Sequence, residues 1–99
     1  MNQEELTSLK NWFAGYCASF STPVREDQRN IDIKQDHTRE VCLNSARIAR
    51  GLRMSGEGSL LAEAIGLFHD VGRFPQYQRY KTFDDGISVN HATLGAKVL

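Results

Sequence analysis

Apolar residues in this chain recur every three or four positions and never in alternation with polar ones. Leu6, Leu9, Trp12, Phe13, Tyr16, Cys17 and Phe20 fall at these steps, the period of one face of a helix. The spacing returns at Val41, Ser45, Ile48 and Leu52, widened by Cys42 and Ala49. It returns again at Leu61, Ala64, Ile65 and Phe68, and at Leu94 and Val98. No run of β-branched residues alternates with polar ones, so no strand is expected. The pattern predicts an all-α fold, a bundle of four main helices. With 99 residues, there is chain for one domain spanning 1–99 and not for two.

Capping and breaking residues set the expected boundaries. Asn2 followed by Glu5 fits a capping box and starts a helix that runs to about Phe20. Ser21-Thr22-Pro23 ends it, because proline disfavours helical geometry in the residue before it. The polar stretch from Val24 to Ile31, with charges of alternating sign, reads as a solvated loop. A second helix is expected from Asp32 or Asp36, either able to cap it, to about Met54. Ser55-Gly56-Glu57-Gly58 is a flexible connection. A third helix is expected from Ser59 to Gly72, with glycine just past its end. From Arg73 to Val89 the chain reads as irregular, with at most a helical turn around 76–80. Asn90 then caps a fourth helix that starts at His91 and is still periodic at Leu99. The chain is therefore expected to hold an incomplete domain, and self-association through uncovered apolar surface is an expected consequence.

Composition excludes several functions. Twelve basic residues balance twelve acidic ones, which removes the electrostatic case for a nucleic-acid or membrane-surface binder. Cys17 and Cys42 form no C-x-x-C pair, so a thiolate zinc site is unsupported, and both read as buried free thiols. The acidic start Met-Asn-Gln-Glu-Glu is not a signal peptide. No apolar run approaches the roughly 20 residues that span a bilayer. A cytoplasmic protein is expected.

The chemistry-bearing residues are three histidines, His37, His69 and His91, with Asp70 directly after His69. Imidazole and carboxylate suit several first-row divalent ions. Neighbours on an ideal helix point about 100° apart, but a helix end relaxes that constraint, so His69 and Asp70 can address one ion. His37, on the stripe of the second helix, can add a third ligand. Taken singly, each histidine reads more readily as a satisfied core residue than as a ligand.

In combination these stretches resemble a known family. His37-Thr38, Gly66-Leu67-Phe68-His69-Asp70-Val71-Gly72-Arg73-Phe74 and Asn90-His91-Ala92 look like the HD-domain metal-dependent phosphohydrolases, over about residues 32–99. The resemblance implies an all-α HD-like bundle whose helices bring His37, His69 and Asp70 onto a divalent ion (Mn, Mg, Fe, Co, Ni or Zn). It implies hydrolysis of a small phosphorylated molecule, often a nucleotide, by metal-activated water. By the same resemblance Asp70 is a ligand that also positions that water. His91 binds a second ion or the substrate phosphate, and Arg73 faces the phosphate. The helix start at Asn90 would add backbone N–H groups for an anion. Gln76, Tyr77, Tyr80 and Lys81 read as pocket lining or as surface. The family's last metal-binding aspartate should lie downstream of His91, and no aspartate follows it here. That departure supports an alternative: a non-catalytic HD-like module that binds a nucleotide or a partner protein.

Overall fold

The computed structural model describes residues 1–99 and is all-helical. In chain order it contains α1 (Gln3–Ala18), α2 (Arg25–Gly51), α3 (Gly56–Phe68), α4 (Arg73–Tyr80) and α5 (His91–Val98). The four main helices expected are α1, α2, α3 and α5. The turn expected over 76–80 is the last part of the eight-residue α4. No helix is long and apolar enough to cross a membrane.

The capping box predicted for α1 forms. The Asn2 side chain accepts from the Glu5 N–H at 2.8 Å, and the Asn2 N–H donates to Glu5 at 3.1 Å. Asn90 caps α5 in the same manner, accepting from the N–H groups of Ala92 and Thr93.

The stretch expected to be a solvated loop before Asp32 is instead the first two turns of α2, which starts at Arg25. Asp32 and Asp36 lie inside the helix and cap nothing. The cause is tertiary. Ile31 is buried, Asp27 pairs with Lys81 at 2.8 Å, and Asn30 donates to the Tyr77 hydroxyl at 2.8 Å. Contacts to α4 thus hold a segment whose own apolar content would not.

Of the stripes expected for α2 and α3, Cys42, Ala49 and Ala64 are buried as read, but several of the larger residues are not. Ile48, Leu52, Leu61 and Ile65 all face outward, while Cys42, Ala46, Ala49, Ala64 and Leu67 are buried. The helices fold back on each other through their small residues. A Cβ on Gly66 would stand 3.3 Å from the Cys42 Cα and 3.1 Å from the Ser45 hydroxyl. Only the small-residue faces allow so close an approach.

One core joins all the helices, and α5 reaches it through Val98 and through Gly95, which packs against Val71. Phe13 and Cys17 of α1, Ile31 and Cys42 of α2, Leu67 of α3 and Phe74 and Tyr77 of α4 pack with Val71 between them. Phe74 meets the rings of Phe13 and Tyr16 edge-on at 5.9 and 5.8 Å, the favoured arrangement of aromatic quadrupoles. Both cysteines are buried and free. Burial pushes the Cys17 thiol up to about 12 and raises that of Cys42, so both are inert thiols rather than nucleophiles.

Candidate metal centre

α3 ends at Phe68, and His69 to Gly72 form the turn into α4. The Tyr16 hydroxyl pins that turn by donating to the Val71 carbonyl at 2.8 Å. Gly72 does not serve the turn by left-handed geometry, as a glycine past a helix end often does. Its φ is −69°. It is needed because α5 crosses over it: a Cβ there would lie 1.8 Å from the His91 carbonyl oxygen. This crossing delivers His91 to the turn.

The Asp70 carboxylate, 6% exposed, sits at the centre. His37 Nε2 lies 3.6 Å and His69 Nε2 3.1 Å from its Oδ2. His91 Nε2 lies 3.2 Å from its Oδ1, and Arg73 Nε 3.7 Å from the same oxygen. The ligand atoms of His37, His69 and Asp70 all fall within 4.8 Å of one another. Helices α2 and α5 and the α3–α4 turn therefore bring all three histidines of the chain to one carboxylate.

The donor pattern tests whether this set suits a cation. His69 Nδ1 lies 2.6 Å from the Gly66 carbonyl oxygen. A carbonyl only accepts, so Nδ1 carries a proton, and whenever the ring is neutral it turns a bare Nε2 lone pair towards Asp70. Two acceptors 3.1 Å apart are poorly matched without a positive charge between or beside them. A divalent ion bound by both resolves that mismatch, and the backbone bond on the far nitrogen is the usual second partner of a metal-binding histidine. The residues present fit a divalent ion.

Arg73 is not a solvated surface residue. Its Nη1 donates to Gln76 Oε1 at 3.0 Å, to the Phe83 carbonyl and to Asp85 Oδ1 at 3.1 Å. Its Nε is buried without a hydrogen-bond partner. Gln76, fully buried, donates onward to Asp85 at 2.9 Å, Ser88 at 3.0 Å and the Val89 carbonyl at 3.1 Å. Gln76 and Tyr77 are thus neither surface nor open pocket lining. They brace the 83–89 segment and the start of α2. The backbone anion site expected at Asn90 is already filled. Asp85 accepts from the His91 N–H and Asn90 from the next two.

Asp85 is the site residue that sequence reasoning missed. Asp84-Asp85-Gly86 carries a turn signal, and nothing in the spacing reveals that one of its carboxylates meets His91. Hydrogen bonds from the His91 ring, with further ones from the His91 N–H and Gln76, hold the Asp85 carboxyl below the usual carboxylate range.

A family model described as HD domain matches residues 35–99, which takes in His37, the His69-Asp70 pair and His91. The chain belongs to the HD domain family. No curated protein and no solved structure matches it significantly. HD domains are generally metal-dependent hydrolases, and this one carries a His37-His69-Asp70 group that could hold a metal ion. α1 and the beginning of α2 precede the matched stretch, yet α1 supplies Tyr16 and Phe13 to the packing beneath the turn.

Proposed function

We propose that this HD domain is a metal-dependent phosphohydrolase acting on a small phosphorylated molecule, such as a nucleotide, as a monoesterase or diesterase. The observation that carries this reading is His69 Nε2 facing the Asp70 carboxylate at 3.1 Å while its Nδ1 is held by the Gly66 carbonyl, with His37 and His91 on the same carboxylate. His37, His69 and Asp70 would hold the ion. Such an ion, when bound, supplies a Lewis acid that acidifies water and offsets phosphoryl charge.

The chain's own residues do the rest. His37 is the most exposed of the cluster, with 46% of its side chain open, so substrate approaches from the α2 side. Asp70 is held rigidly by the turn and keeps its ligand oxygens fixed. Arg73 places a permanent positive charge beside Asp70, which lowers the cost of gathering acidic groups and phosphate in one place. All three of its hydrogen bonds use Nη1, which leaves Nη2 for a phosphate oxygen. His91, the remaining side chain on the Asp70 carboxylate, would hold a second ion beside the first.

The test is phosphate release from p-nitrophenyl phosphate, bis-p-nitrophenyl phosphate and a nucleotide panel, with Mn, Mg, Fe, Co, Ni and Zn supplied in turn. Hydrolysis that needs the ion, and falls at least a hundredfold in His69→Ala and Asp70→Ala, is the expected result. Ion binding without hydrolysis of any phosphate ester would favour the non-catalytic module.

A further inference from the structure

The Asp85–His91 pair goes beyond the metal ligands themselves. Asp85 Oδ1 is surrounded by donors: Arg73 Nη1 at 3.1 Å, Gln76 Nε2 at 2.9 Å and the His91 N–H at 3.2 Å. The Gln76 amide cannot turn round, because its Oε1 accepts from Arg73, which has only donors to offer. Both carboxylate oxygens also lie within reach of His91 Nδ1, Oδ2 at 2.9 Å and Oδ1 at 3.2 Å. An ionised carboxylate only accepts, and Nδ1 faces two such oxygens, the nearer at 2.9 Å, where Nε2 faces one at 3.2 Å, so in the neutral ring the proton belongs on Nδ1. The opposite nitrogen, Nε2, then stands bare 3.2 Å from Asp70 Oδ1.

We infer that Asp85 is a positioning residue that fixes His91 in the Nδ1-protonated tautomer and aims its Nε2 lone pair at the Asp70 centre. His91 and His69 are thereby set alike. Each has its Nδ1 held by an oxygen of the protein and its Nε2 free at the carboxylate. The device is built by α4: Arg73 and Gln76 hold Asp85, and Asp85 holds His91. The value of a bare Nε2 rests on the metal reading above, whereas the tautomer itself does not.

The isosteric change Asp85→Asn separates the two. Its Oδ1 stays where Arg73, Gln76 and the His91 N–H require an acceptor. Its amide NH2 then replaces Oδ2, the oxygen nearest His91 Nδ1, and donates to that nitrogen, which moves the ring proton to Nε2. The measurement is long-range proton–nitrogen NMR on the full, metal-free chain carrying nitrogen-15 histidine, at alkaline pH so that neutral rings are read. The wild type is expected to show His91 protonated on Nδ1, and Asp85→Asn on Nε2. His69 should remain Nδ1-protonated in both, which also reports that the site is folded. Calorimetric Mn²⁺ titration is expected to show affinity reduced about 10–100-fold in Asp85→Asn, with Asp84→Asn unchanged. A wild-type His91 protonated on Nε2 would overturn the inference without any variant. So would an unmoved tautomer in an Asp85→Asn protein that keeps its His69 signature. A wild type with the expected tautomer that binds no Mn²⁺ would instead overturn the metal reading and leave Asp85 in its role.

Discussion

The Gly72 Cα lies directly beneath the carbonyl oxygen of His91, so close that a Cβ would stand 1.8 Å from that oxygen and 2.6 Å from the Gly95 nitrogen. Backbone on backbone cannot give way as a flexible side chain can. Gly72→Ala should therefore cost at least the upper end of the about 1–3 kcal/mol typical of overpacking, by urea denaturation. Because the displaced element is α5, the variant should lose His91 from the centre and bind divalent ions more weakly than the wild type.

Phe74 is 1% exposed and meets Phe13, Tyr16 and Phe20 with ring centroids 5.8–5.9 Å apart. Removing it leaves a cavity next to Val71, on the turn that carries Asp70. Phe74→Ala should destabilise the fold by about 3–5 kcal/mol, and Phe74→Leu by clearly less. Thermal or urea unfolding measures both.

The opposite is expected of Leu52. It was read from its spacing as core, but it is 71% exposed. Leu52→Lys should change stability by no more than about 0.5 kcal/mol, as a surface substitution does, whereas Leu67→Ala should cost about 2–5 kcal/mol. A large loss at Leu52 would mean that the outward face of α2 is covered.

These contrasts mark what the sequence could tell. His37, His69, Asp70 and His91 were legible as a group because helical periodicity and one short motif place them on a helix face and at helix ends that can converge. The all-helical character was legible for the same reason. The outward position of Ile48, Leu52 and Ile65 was not, because Gly66 and Cys42 select a small-residue contact while periodicity favours the larger side chains. The start of α2 was hidden because its anchors, Tyr77 and Lys81, lie about 50 residues away in the chain. Asp85 was hidden because its meeting with His91 depends on the path of the 83–89 segment, which Gln76 sets from the interior.

Acid should weaken one of those anchors. Hydrogen bonds from Lys81 and then Tyr77 hold the Asp27 carboxyl below its ordinary value. A depressed folded value means that the unfolded chain takes up the proton more readily. The stabilisation is complete above about pH 3.9, the ordinary aspartate value, and is lost as pH falls through the lower folded value. The melting temperature of Asp27→Asn should therefore lie below that of the wild type at pH 7, and the gap should close near pH 2. A gap that persists in acid would contradict the role of the ionised carboxylate.

The central claim is that His37, His69 and Asp70 hold one divalent ion, with His91 set beside them. Anomalous diffraction from crystals of the chain grown with Mn²⁺ tests it most directly. The account predicts one strong peak about 2.0–2.3 Å from His37 Nε2, His69 Nε2 and an Asp70 oxygen, with His69 Nδ1 still on the Gly66 carbonyl. No peak at Asp70 while the three histidines keep their places around it, or a peak held by other residues, would contradict it.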